Sequence, residues 1–109
     1  MRLSAEFRGD PPLALECAAL VDTGNLLTEP ISALPVIVLP RRMVPTLAAR
    51  ADIPIPMQTA GGSGMLFALK PRQVLVNGRS VAALIAFSEA RTALVPACLA
   101  AAEAERQSA

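Results

Sequence analysis

The stretch LECAALVDTGNLLTEP, residues 15–30, decides how the chain is read. Alternate residues Leu15, Cys17, Ala19 and Val21 share one face of an extended, largely apolar segment running from Leu13 to Val21. Asp22, Thr23, Gly24 and Asn25 then interrupt with turn-prone residues, and Leu26 and Leu27 resume the apolar pattern before Thr28-Glu29-Pro30 stops it. A carboxylate is thereby delivered to the end of a buried strand rather than to a solvated loop. Such a group is costly there unless it is hydrogen-bonded or shares a proton.

Upstream, Leu3, Ala5 and Phe7 alternate with Arg2, Ser4, Glu6 and Arg8, the pattern of a half-buried strand ended by Gly9-Asp10-Pro11-Pro12. Downstream, Pro35 to Pro40 reads as a short β-branched buried strand, and Val44 to Arg50 as a short helix with Pro45 in its first turn. Ile53–Ala60 and Met65–Lys70 look extended around Gly61, Gly62, Ser63 and Gly64, a hairpin with a glycine-rich tip. Gln73–Val76 and Arg79–Phe87 flank Asn77-Gly78, whose residues suit the two positive-φ positions of a type I′ turn. Ala97 to Glu105 favours helix after Pro96, and residues 106–109 read as a frayed polar end. The expected fold is mostly β, closed by distant strand pairings into a small barrel or sandwich, with one short C-terminal helix and a single domain over residues 1–109.

Composition removes whole classes of chemistry. The 109 residues contain no His, so Ser-His-Asp and Cys-His catalysis are excluded within one chain, as are imidazole metal sites. Two cysteines, Cys17 and Cys98, cannot hold zinc by themselves; both lie among apolar neighbours and read as inert buried thiols. No metal and no cofactor is expected. A net charge of +1 and the lack of Trp and Tyr argue against nucleic acid. The first ten residues carry charges where a signal peptide would be apolar, and the apolar run from Ala93 to Ala102 is too short to span a bilayer.

An Asp-Thr-Gly turn after a buried strand suits acid–base hydrolysis by paired carboxylates. Two carboxylates about 3 Å apart cannot both ionise. One acts as base toward a water while its protonated partner polarises the scissile carbonyl. Gly24 permits close backbone approach and offers an amide to the carboxylate, and the Thr23 hydroxyl is placed to lock the turn. Asp10 and Asp52 stand beside prolines in turn-like settings, so the second carboxylate has to come from another copy, with Asp22 facing its symmetry mate across a two-fold axis.

LVDTGNLLTEP, LPVIVLP, IPMQTAGGSGMLFALKPRQVLVNG and AALIAFS together resemble the protease domain of the sporulation sigma-E factor-processing peptidases, from about Leu15 to about Ala102. That family is similar in plan to retroviral-type aspartic peptidases, homodimers with one Asp-Thr-Gly per subunit. The resemblance implies an aspartic endopeptidase of acid-protease barrel type that cleaves the pro-segment of a sporulation sigma factor. It makes Asp22 the catalytic aspartate, Thr23 a bridge between the two active-site loops, and Gly24, with Asn25, the support of the turn. Gly61, Gly62, Ser63, Gly64 and Met65 become a flap over a peptide substrate. It also implies a cytoplasmic-side domain joined, in the family, to the mother-cell membrane by an N-terminal region absent from these 109 residues. Leu94-Val95-Pro96 departs from the apolar-apolar-Gly step that supports the active-site loop in retroviral-type enzymes, and an Ala-rich helical segment stands where those enzymes interleave terminal strands, so the dimer interface is expected to differ. The rival reading is a catalytically silent dimerising β module that binds protein, with Asp-Thr-Gly serving as a structural turn.

Overall fold

The computed structural model describes residues 1–24, 27–59 and 61–100, with backbone alone for Gln58 and Thr59. Among the described residues, nine strands follow in chain order: β1 (Arg2–Phe7), β2 (Leu13–Asp22), β3 (Val36–Pro40), β4 (Ile53–Thr59), β5 (Gly62–Leu69), β6 (Gln73–Val76), β7 (Arg79–Ser80), β8 (Leu84–Ser88) and β9 (Ala93–Pro96). A 3-10 turn over Arg41–Met43 leads into a single-turn helix α1 (Pro45–Ala48), and residues 97–100 are helical.

The strand order is β4-β5-β8-β3-β9-β2-β1-β6-β7. β2 is the corner of the fold. Its first part pairs antiparallel with β1, from Leu13↔Phe7 to Ala18↔Arg2, and its last four residues pair parallel with β9, from Ala19↔Ala93 to Asp22↔Pro96. One long strand thus serves two sheets, and the core lies between them. Leu3, Ala5 and Phe7 of β1 and Val74 and Val76 of β6 share a cluster with Ile37 and Leu39 of β3, Ile85 and Phe87 of β8, Ala93 and Val95 of β9, and Leu47 of α1.

β3 and β8 are buried on both faces. Ile37, Leu39, Ile85 and Phe87 enter the main core, while Val36, Leu84 and Ala86 join Ile55 of β4 and Ala68 of β5 in a smaller cluster on the opposite face. That double burial explains why both strands are continuous apolar runs rather than alternating ones.

The sheet is mostly β as expected but does not close into a barrel: its outer strands, β4 and β7, do not pair with each other. β7 is only two residues long, and Pro54 and Pro56 deny β4 two backbone donors, both devices that suit an edge and resist further pairing.

Five local expectations are corrected. β2 is not a buried strand: Leu13, Leu20 and Val21 are exposed, and Ala19 alone of its residues is buried. Arg79–Phe87 is not one strand, because Arg79–Ser80 pairs with β6 while Leu84–Ser88 crosses to lie between β3 and β5. The helix expected over Val44–Arg50 is reduced to Pro45–Ala48. Ala93–Pro96, for which no strand was expected ahead of the helix from Ala97, is a buried strand inserted between β2 and β3. Cys98 is exposed rather than buried, since its helical neighbour Leu99 is the residue that packs on the core. The Asn77-Gly78 turn is as expected, with φ of 51° and 81°. Of the helix expected to Glu105, only 97–100 falls within the described residues.

Candidate active-site cleft

Asp22 is the last residue of β2, and its register partner is Pro96 of β9. The apolar run before it is carried to this point by parallel pairing, while Thr23 and Gly24 turn away from the sheet, both exposed. The Gly24 N–H donates to Asp22 Oδ1 at 3.0 Å. A two-residue reach from carboxylate to amide is the ordinary Asx geometry, and it orients the side chain. Asp22 is half-buried and borders an open space.

That space is a cleft of about 600 Å³. Asp22 and Gly24 form one end and Val38, Ser88 and Leu94 the floor. Pro56, Met57 and Leu66 of the β4–β5 hairpin, with Leu27 and Thr28, line its walls. The floor follows from register: Val38 of β3 lies directly across from Leu94 of β9. Apolar walls with a few polar groups around one carboxylate are the usual composition of a ligand-binding cleft.

The hairpin therefore shares a cleft with Asp22, though by other residues than those singled out. Thr59 pairs with Gly62, Gln58 with Ser63, and Met57 with Gly64, so Ser63 and Gly64 are ladder residues and the tip is shorter than the glycine run implied. Gly62 has φ of +123°, a conformation open to glycine, with nothing near the position a Cβ would take. Gly61, Gly62, Ser63, Gly64 and Met65 are all exposed, and none lines the cleft. Asn25 lies outside the described residues.

Sequence reasoning missed the segment after the turn. Thr28 bridges to Pro35, the Val36 N–H donates to Leu27 O at 3.1 Å, and the loop between them is closed on itself. Its organiser is Glu29, the sole charged residue among the buried described ones, at 8% exposure. Its carboxylate accepts from the Ile31 N–H at 2.9 Å and the Ser32 N–H at 2.7 Å. These two backbone donors, aided by the Ser32 side chain, hold the Glu29 carboxyl below the usual carboxylate range despite burial. The legible signal was a carboxylate followed by Pro30 and, three positions on, Ser32, a local capping pattern.

Among the described residues, no group of three or more His, Cys, Asp or Glu is placed to hold a metal ion. No described helix is long and apolar enough to cross a membrane.

Residues 13–53 match the model of the Peptidase_U4 family, described as sporulation factor SpoIIGA. The matched segment runs from the start of β2 to the first residue of β4, and so holds the Asp-Thr-Gly turn, the Glu29 loop and β3. No curated protein and no solved structure gives a significant match.

Proposed function

We propose that this SpoIIGA-like chain is an aspartic endopeptidase in which Asp22 and the Asp22 of a second copy share one proton and activate water. The observation that carries the reading is Asp22 at a strand end, oriented by the Gly24 amide at 3.0 Å and opening into an apolar cleft walled by the β4–β5 hairpin. The peptidase family match over residues 13–53 supports hydrolysis of a peptide bond, and the catalytic type follows from the residues available.

In this mechanism an extended peptide lies between the hairpin and the floor at Val38 and Leu94. The ionised member of the Asp22 pair takes a proton from water as the oxygen attacks the scissile carbonyl carbon, and the protonated member donates to the carbonyl oxygen. The resulting gem-diol collapses by proton transfer to the amide nitrogen, which leaves as an amine. Exposed Leu20 and Val21, immediately before Asp22, give the second copy apolar surface close to the shared carboxylates. Thr23, exposed in the turn, is the bridge between the two active-site loops in this reading. The hairpin is the flap, and the substrate is the pro-segment of a sporulation sigma factor.

The test is cleavage of a pro-sigma-factor peptide across pH. A bell-shaped rate profile and inhibition by a statine-containing transition-state mimic are expected. A folded wild-type chain that dimerises yet cleaves no such peptide at any pH would favour the binding module instead.

A further inference from the structure

The loop from Glu29 to Leu34 satisfies its backbone donors internally, and Glu29 does most of it. The Glu29 N–H donates to Leu34 O at 3.0 Å, Pro30 has no N–H, Ile31 and Ser32 donate to the Glu29 carboxylate, Ala33 donates to Glu29 O at 2.8 Å, and Leu34 donates to Ser32 Oγ at 3.3 Å. Three of the five available amides therefore end on one residue. Ala33 is held at φ of 60°, a left-handed conformation that a non-glycine residue keeps only where surrounding bonds demand it. Little apolar burial assists: Pro30, Ile31, Ser32 and Ala33 are exposed, Ile31 at 95%. The loop is shaped by hydrogen bonds to a carboxylate, while Leu27 and Thr28 on one side of it line the cleft and Val36 on the other belongs to the smaller core cluster.

We infer that Glu29 is a positioning residue of the cleft, its carboxylate closing the 29–34 loop so that Leu27 and Thr28 stand fixed as a wall against the peptide. The inference rests on the peptidase reading for its consequence and on the loop geometry for its cause. Glu29 touches no reacting atom. Because Asp22 is held separately, by β9 and by the Gly24 amide, loss of the Glu29 carboxylate acts on peptide affinity and leaves the chemical step intact. Gln can accept through one oxygen where the carboxylate uses two, so Glu29→Gln falls between wild type and Glu29→Ala.

The experiment measures amide hydrogen exchange and binding of a statine-containing apolar peptide in wild type, Glu29→Gln, Glu29→Ala and a control, Glu16→Gln, whose carboxylate pairs with Arg2 at the exposed β1–β2 face. Exchange at Ile31 and Ser32 is expected to rise about tenfold or more in Glu29→Ala, with a smaller rise at Glu29 and Val36. Peptide affinity falls about tenfold, KM rises and kcat holds. Glu16→Gln changes none of these. Unchanged exchange at Ile31 and Ser32 in Glu29→Gln would overturn the loop assignment. Faster exchange with unaltered peptide affinity would overturn the link to the cleft. Should wild type bind no peptide, the peptidase reading falls by itself, and the exchange at Val36 still decides whether Glu29 anchors the loop.

Discussion

Replacing Asp22 by Asn separates the chemistry of the site from its architecture. Asparagine keeps a side-chain oxygen within reach of the Gly24 amide, now 3.0 Å from Oδ1, and differs from aspartate by no heavy-atom count. The variant is therefore expected to unfold within about 0.5 kcal/mol of wild type, whereas Asp22→Ala also loses that bond, worth about 1 kcal/mol. Activity responds quite differently. With the acid–base group gone, the rate drops by about 10²–10⁴-fold. The stronger result comes from mixing. If each centre needs Asp22 from two chains, an equal mixture of wild type and Asp22→Asn above the dimer dissociation constant contains about a quarter wild-type homodimers by random pairing. Each wild-type chain then shows about half its original activity. Sedimentation across a concentration series, run beside peptide cleavage at several mixing ratios, reads both quantities. Activity that stays linear in wild-type chain, or a strict monomer that cleaves at full rate, would refute the shared dyad.

Acid should weaken the fold through Glu29. Its carboxyl lies below the ordinary range near about 4.3 because Ile31 and Ser32 donate to it, so its stabilisation is present above the unfolded value and is lost as pH falls through the folded one. The stability gap between wild type and Glu29→Gln, followed by urea unfolding from pH 7 to pH 3, should accordingly narrow on acidification; a gap that widens would reverse the sign. Truncation of β3 should report its two faces. Ile37→Ala, fully buried in the main core, should cost about 3–4 kcal/mol, and Val36→Ala, in the five-residue cluster beside half-buried Leu27 and Leu34, about 1–2 kcal/mol, by denaturant midpoints at equal slope. The thiols should label in sequence: Cys98, exposed, ahead of Cys17, half-buried and with burial pushing its pKa up against a smaller opposing effect of Arg2. Mass spectrometry of partially alkylated chain would show the order.

Local chemistry was readable wherever near neighbours dictate conformation. Alternation placed β1, and the apolar run to Asp22 placed β2. Paired prolines bounded β3, and Asn77-Gly78 announced its own turn, because positive φ at both positions is a property of those residues. The Asp-Thr-Gly turn was legible for the same reason: a carboxylate accepts from the amide of the glycine two residues on.

Partnership between distant segments was not readable. Nothing in Ala93–Pro96 distinguishes a buried strand from the first turn of an Ala-rich helix until β2 and β3 are seen to leave a slot between them. Nothing in Arg79–Phe87 says where the chain changes sheets. The expectation of closure failed because sealing a sheet requires its two outermost strands to meet, and prolines in β4 together with a two-residue β7 work against that, a matter of which strands end up outermost. Glu29 shows the same division within a single residue. Its sequence neighbours allowed a cap, but the cap matters only because the folded chain brings Leu27 and Thr28 into one cleft with Met57 and Leu66. Residue types therefore determined the turn and the carboxylate it presents, and tertiary packing alone decided what surrounds that carboxylate, since the walls come from strands far apart in sequence that only long-range pairing brings together.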